Sequence, residues 1–131
     1  MPARLDAFAD LGAFLETVAE AAGLPREAGL RLRLVVEELF TNTVVKGHGG
    51  DSDAPVTVTV EIGEGHIGVV YEDSAPPFDP FAARRSPDPD DAEHVGGHGI
   101  AIVTGLTDGA SYTRAGDANR VSLSLRVSGP R

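Results

Sequence analysis

The chain contains no cysteine, so disulfide bonds and thiolate metal sites are excluded. It also lacks a long apolar run: no stretch approaches the roughly 18 residues that a membrane-spanning helix requires. No signal-type start is visible at the N-terminus. We therefore expect a cytoplasmic protein that does not bind a membrane.

Basic residues are scarce, with 11 Lys and Arg against 20 Asp and Glu, for a formal net charge of -9. This balance disfavours binding to nucleic acid, which requires a basic surface. Backbone N–H groups and a metal ion can still neutralise the phosphates of a small ligand locally. The acidic surface serves solubility or fits a partner with basic contacts, and solubility is the simpler interpretation.

The length of 131 residues predicts one domain over residues 1–131. Residues 5–22 carry apolar positions spaced by three and four, which is typical of an amphipathic helix. Gly23 ends this helix and Pro25 opens the next one. The second helical pattern covers residues 25–46, and its recurring apolar positions are Leu30, Leu34, Val35, Leu39 and Val45.

The remaining patterns predict strands and one long loop. Residues 56–62 alternate apolar and polar side chains, and residues 67–71 follow as a hairpin partner. Residues 74–94 hold five of the nine prolines, which indicates a surface loop. A short helix within residues 99–106 and strands at 110–114 and 121–127 complete the order. Helices on one face of a sheet, in an α+β two-layer sandwich, are the expected architecture.

Glu38 and Asn42 lie four residues apart, hence on one face of the second helix. Leu34 and Val45 are expected on the same face, which would then point inward. Such a pair either satisfies backbone groups or carries chemistry: Asn42 offers a carbonyl oxygen to Mg²⁺, and Glu38 acts as a general base. Glu37 is turned about 100° away and is the weaker candidate.

Asp73 follows the strand at 67–71 and precedes two prolines. It is either a turn residue or the acceptor for an exocyclic amine such as that of adenine. Pro76 and Pro77 stiffen the backbone there. Phe78 either packs beside a base or closes the core.

The glycine-rich segment at 96–99 lets the backbone approach a phosphate closely. A helix that begins near Ile100 would direct its first N–H groups at that anion. His94 and His98 have the spacing of a helical metal pair, but the glycines between them argue against a regular helix. Metal binding by these histidines is therefore not expected.

The order of these motifs resembles the GHKL ATPase superfamily, which includes gyrase and histidine kinases. The chain is most similar to the stand-alone anti-sigma-factor serine/threonine kinases of bacteria, over nearly its whole length. The family's Glu-x-x-x-Asn matches Glu38 to Asn42, its adenine-binding Asp matches Asp73, and its Gly-x-Gly-Leu matches residues 97–100. The resemblance implies the Bergerat-type fold, with helices on one face of a mostly antiparallel mixed sheet.

The resemblance also implies roles for individual residues. Asn42 would coordinate Mg²⁺, Glu38 would be the base, and Asp73 would bind adenine. Ala75 replaces the second glycine of the family's Asp turn, and Lys46 stands where these kinases often have His. Lys46 either helps to hold phosphate or is a helix-end cation. The further nucleotide-binding positions are Pro77, Phe78, Gly97, His98, Gly99, Ile100 and Ala101.

Three functions follow as hypotheses. By resemblance, the chain is an ATP- and Mg²⁺-dependent kinase that sequesters a sigma factor or another regulator and phosphorylates a STAS-domain anti-anti-sigma factor; a homodimer is implied in the same way. The alternative is an ATP-binding switch that sequesters its partner without phosphate transfer. The third is an interaction domain without a nucleotide. The preference for a kinase rests on the resemblance.

Overall fold

The computed structural model describes residues 1–81 and 103–127. Two helices come first, α1 at Phe8–Ala21 and α2 at Arg26–Asn42, and four strands follow. A 3-10 turn at Leu5–Ala7 precedes α1, a π-helical turn at Thr43–Gly47 continues α2, and residues 103–106 form one more helical turn. The strands are β1 at Val56–Gly63, β2 at His66–Asp73, β3 at Gly109–Ala115 and β4 at Ala118–Arg126.

The strands form one sheet in the order β1-β2-β4-β3. Both the β1–β2 and the β3–β4 pairs are hairpins, and their turns contain Gly65 at φ 77° and Gly116 at φ 61°. Glycine adopts this left-handed conformation without steric cost. Every pairing among the described strands is antiparallel, so the parallel pair of a mixed sheet is not found there. The predicted α+β two-layer architecture is confirmed.

The core lies between the two helices and one face of the sheet. Because side chains alternate along a strand, every second residue of β2 and β4 points to the helices. The buried apolar side chains that meet in this layer include Leu11, Leu15, Leu32, Val35, Val36, Phe40, Ile67, Val69, Tyr71, Val121, Leu123 and Leu125.

In the described part of the chain, no helix is long and apolar enough to cross a membrane.

The predicted inward face of α2 is partly wrong. Leu34 is 39% exposed and Val45 is 52% exposed, so neither marks the core side. The helix buries a different series, which includes Val35 and Leu39. Asn42 lies one turn after Leu39 and two turns after Val35, and it is buried for that reason.

A matched pair of substitutions tests this corrected face. Leu32→Ala removes a side chain that is 0% exposed, whereas Leu34→Ala trims one that is 39% exposed. We expect the first to lower the free energy of unfolding by about 2–5 kcal/mol and the second by less than about 1 kcal/mol. Urea denaturation measures both; equal losses would contradict the assignment of the buried face.

Candidate functional site

Asp73, the last residue of β2, is buried and accepts three hydrogen bonds. Its Oδ1 accepts from the backbone N–H of Ala75 at 3.0 Å and from Asn119 Nδ2 at 2.9 Å. Its Oδ2 accepts from Thr43 Oγ1 at 2.8 Å. Because a carboxylate offers about four acceptor positions, one position on Oδ2 is left for another donor.

Thr43 and Tyr71 form a buried relay that ends on this carboxylate. The Thr43 Oγ1 atom lies 2.6 Å from the hydroxyl oxygen of Tyr71. Thr43 has one hydroxyl proton, and both of its other neighbours only accept, so Tyr71 donates to Thr43. The Thr43 hydroxyl lies 2.8 Å from Asp73 Oδ2 and 3.1 Å from the Leu39 carbonyl oxygen, and these two acceptors share its proton. Burial raises the pKa of Tyr71 well above its ordinary value, and its hydroxyl therefore keeps its proton.

The π-helical turn brings Gly47 against Ala75. A Cβ atom at Gly47 would lie 3.1 Å from the Cβ of Ala75, which is tighter than ordinary van der Waals contact. Ala75 itself is 1% exposed. Ala75 stands where the family that the sequence resembles has a glycine, and Gly47 at the neighbouring helix end leaves room for its methyl group.

This contact predicts an energetic coupling between positions 47 and 75. Gly47→Ala adds a methyl group that meets Ala75 in the wild type but not in the Ala75→Gly background. We expect the substitution at Gly47 to be about 0.5–2 kcal/mol more destabilising in the wild type than in that background. A double-mutant cycle by chemical denaturation measures the difference, and additive effects would contradict it.

The helix end also carries Asn42 with an unpaired amide. Its side chain is buried, and its Nδ2 atom has no hydrogen-bond partner among the described residues. Leaving a buried amide unpaired costs about 1–3 kcal/mol, so a polar ligand at this point would be stabilised. Rotation about the last side-chain bond can present either the nitrogen or the oxygen of the amide.

The two neighbouring acids of α2 differ in their surroundings. Glu37 accepts a hydrogen bond from Arg33 Nε at 2.9 Å, and its side chain is 13% exposed. Glu38 is half-buried and forms no ion pair within residues 1–81 and 103–127. Arg33 therefore holds the Glu37 carboxylate in place, whereas no cationic side chain of the described ranges occupies Glu38.

Lys46 lies one turn beyond Asn42 in the π-helical turn. Partial burial lowers the pKa of its ammonium group. In the part of the chain that the structure describes, Lys46 forms no salt bridge. The end of α2 and its π-helical continuation therefore carry both the unpaired amide and, four residues later, a cation that has no carboxylate partner in the described ranges.

The cavity that Asn42 and Asp73 both line is small, and neither Glu38 nor Lys46 is among its lining residues. Its volume is about 10 Å³, roughly the room of one water molecule. Phe78 and Pro80 line it from the loop after β2, and a purine ring does not fit in this volume as it stands. Pro77 is exposed and does not line the cavity. The lining residues are Leu39, Asn42, Thr43, Tyr71, Asp73, Phe78, Pro80, Asn119 and Val121.

The donor set fits a magnesium ion that is bound mainly by a nucleotide. Within the described ranges no three His, Cys, Asp or Glu side chains form a metal cluster. Mg²⁺ commonly takes one or two protein oxygens together with phosphate oxygens and water. The Asn42 amide can supply one such oxygen. The predicted phosphate segment at 97–101 lies outside the described residues.

Asn119 of β4 is a site residue that the sequence analysis did not single out. It pairs in register with Asp73 across the β2–β4 ladder and is 3% exposed. In the sequence it precedes the final strand that is predicted at 121–127. Its place beside Asp73 depends on the strand order, which no local spacing reveals.

Comparison with known proteins identifies the family to which the chain belongs. Residues 1–125 match the family described as the histidine kinase-like ATPase domain. The serine-protein kinase RsbW of Listeria innocua is 31% identical over 100 residues, which cover 72% of this chain and 64% of that relative. The chain thus spans 64% of the length of this curated relative.

Solved structures share the fold. The histidine kinase domain of the Erythrobacter litoralis EL346 blue-light activated histidine kinase aligns with a TM-score of 0.57 at 20% identity, over 89% of this chain and 61% of that chain. The catalytic domain of histidine kinase ThkA aligns with a TM-score of 0.58 at 11% identity, over 93% and 91%. The GHKL resemblance is confirmed, and the chain belongs to the family of histidine kinase-like ATPase domains.

Proposed function

We propose that this protein is a cytoplasmic, ATP-dependent serine/threonine protein kinase that binds a regulatory partner and phosphorylates a STAS-domain anti-anti-sigma factor. A sigma factor or another regulator is the partner that it sequesters, and the protein acts as a homodimer. The observation that carries the proposal is the unpaired, buried Asn42 amide close to a carboxylate with a spare acceptor position. The family and the relative named a serine-protein kinase support it.

Asp73 recognises the base in this proposal. Three of its acceptor positions are occupied by protein donors, and the spare position on Oδ2 accepts from the exocyclic amine of adenine. Guanine presents a carbonyl oxygen at the equivalent ring position, and this oxygen would face a carboxylate without a proton between them. The carboxylate therefore favours ATP over GTP. Pro77 and Phe78 flank the base once the loop has moved outward.

The other end of the nucleotide meets the end of α2. Asn42 holds the metal through its amide oxygen, and Lys46 contacts phosphate oxygens. Magnesium supplies neutralisation of the phosphate charge. By family resemblance, backbone N–H groups of the segment that contains Gly97, His98, Gly99, Ile100 and Ala101 hold the phosphates as well.

Glu38 accepts the proton of the substrate hydroxyl. The serine or threonine oxygen forms a bond to the γ-phosphorus, the bond from that phosphorus to the bridging oxygen breaks, and ADP leaves. The hydroxyl proton passes to the Glu38 carboxylate, which has no ion-pair partner among the described residues. Positioning and charge neutralisation supply most of the rate enhancement in such transfers.

The test combines binding with a mass measurement. Mg-ATP is titrated into the protein in a calorimeter, and a STAS-domain anti-anti-sigma factor is then incubated with both. We expect saturable heat and an increase in the partner's mass by one phosphate group. Absence of heat at millimolar nucleotide would contradict the whole proposal, and heat without a mass change would contradict the kinase activity.

The closed cavity favours a second candidate, a switch without transfer. Entry of a base must displace Phe78 and Pro80, so nucleotide binding changes the surface of this loop. A partner that binds this surface would respond to ATP without being modified. Partner affinity that changes with ATP, while the partner's mass does not change, would favour this function.

A further inference from the structure

We propose that Asn119 is the positioning residue for base recognition: it holds Asp73 and the loop segment 75–78 in the one arrangement that selects an adenine amino group. Tyr112 and Arg114 of β3 support it from the edge of the sheet. This inference rests on the proposed nucleotide site and adds the groups that orient it.

The Asn119 nitrogen is directed at three acceptors at the end of β2. Nδ2 lies 2.9 Å from Asp73 Oδ1, 3.2 Å from the Ala75 carbonyl oxygen and 3.0 Å from the Pro76 carbonyl oxygen. Its two protons therefore reach the recognition carboxylate and the backbone that follows it. Asp73 and the start of the loop are held by one side chain.

The Asn119 oxygen accepts from three donors on two other elements. Oδ1 lies 3.1 Å from the Phe78 backbone nitrogen, 2.6 Å from the Tyr112 hydroxyl and 3.2 Å from an Arg114 Nη1 atom. The same Arg114 nitrogen also donates to the Ala75 carbonyl oxygen at 2.8 Å. The edge strand β3 is thereby joined to the loop that carries Phe78.

The chemistry of an amide explains why this residue suits the position. Asn donates through one atom and accepts through the other, whereas Asp only accepts and Thr has a single proton to donate. With Asn119 present, Oδ1 of Asp73 is filled by two donors, and the remaining capacity lies on Oδ2. Without Asn119, Oδ1 also has an open position, and the carboxylate is held only by the Ala75 N–H on Oδ1 and the Thr43 hydroxyl on Oδ2. Discrimination between an amino group and a carbonyl on the base should then fall.

The experiment measures selectivity rather than stability. Dissociation constants for Mg-ATP and Mg-ITP are determined by calorimetry; inosine carries a carbonyl where adenosine carries the amine. We expect the wild type to prefer ATP, and Asn119→Ala to reduce the ATP-to-ITP preference by about tenfold, as for one misplaced hydrogen bond. Tyr112→Phe removes one of the donors to the Asn119 Oδ1 atom and should reduce the ATP-to-ITP preference by about threefold.

Thr113→Ala is the matched control, because Thr113 lies between the two supporting residues on β3 and is exposed. It should leave the preference unchanged. If the wild type shows no preference for ATP, base recognition by Asp73 fails and this inference fails with it. If the wild type prefers ATP but Asn119→Ala keeps the full preference, only the role of Asn119 is overturned. Should Asn119→Ala fail to fold, an unchanged preference in Tyr112→Phe overturns it instead.

Discussion

Glu38→Gln should lower the rate of phosphate transfer to the partner by roughly 100- to 10,000-fold, the usual contribution of a general base. Glutamine keeps the shape of the side chain and its oxygen, but it cannot take up the hydroxyl proton. Nucleotide affinity should stay within about threefold of the wild type, because the proposed metal ligand Asn42 and the proposed base-recognition group Asp73 are untouched. Single-turnover formation of phosphorylated partner at saturating Mg-ATP measures the effect.

Glu37→Gln is the control on the same helix. Glu37 is held by Arg33, so its loss should weaken that ion pair and leave the transfer rate within about threefold of the wild type. Equal losses in both variants, or an unchanged rate in Glu38→Gln, would contradict the assignment of Glu38 as the base. In the second case, the positioning of the nucleotide would supply the rate enhancement without a protein base.

Asn42→Ala should abolish the stabilisation by Mg-ATP while changing the ligand-free protein little. At a nucleotide concentration about 100 times the dissociation constant, the wild type should gain about 2.7 kcal/mol. The variant lacks the proposed metal ligand and should gain close to nothing. Because Nδ2 of Asn42 has no partner among the described residues, its removal breaks no hydrogen bond there. Thermal denaturation with and without Mg-ATP gives both quantities.

Two comparisons separate ligation from a general effect on the helix. Thr41→Ala alters the preceding residue, whose hydroxyl donates to the Glu37 carbonyl oxygen, and it should keep the full shift. Chelation of magnesium in the wild type should reproduce the loss seen in Asn42→Ala. If Mg-ATP stabilises Asn42→Ala as much as the wild type, the proposed role of Asn42 as a metal ligand is contradicted.

The elements of the fold could be read from periodicity, because helical and strand spacings are local properties of the chain. The two helices, the first hairpin, the last two strands and the α+β architecture were predicted and are confirmed. The same approach was wrong about Leu34 and Val45, which are exposed. Apolar spacing identifies a helix, but α2 carries apolar residues on two sides, and only its contacts with the sheet choose the buried one.

The residues of the candidate site were likewise predicted only in part from the sequence. Glu38, Asn42 and Asp73 were predicted from short motifs, and their proposed roles stay predictions. The structure brings the latter two to one cavity. Asn119 and the contact of Gly47 with Ala75 had no comparable signal, since each joins segments that are distant along the chain.

Local sequence patterns thus specified the helices, the strands and the candidate polar site residues. Which of those residues meet was set by the strand order β1-β2-β4-β3 and by the packing of α2 on one sheet face. The physical reason is that hydrogen bonds and close packing act over a few ångströms in space. A pattern along one segment carries no record of the segment that will lie beside it.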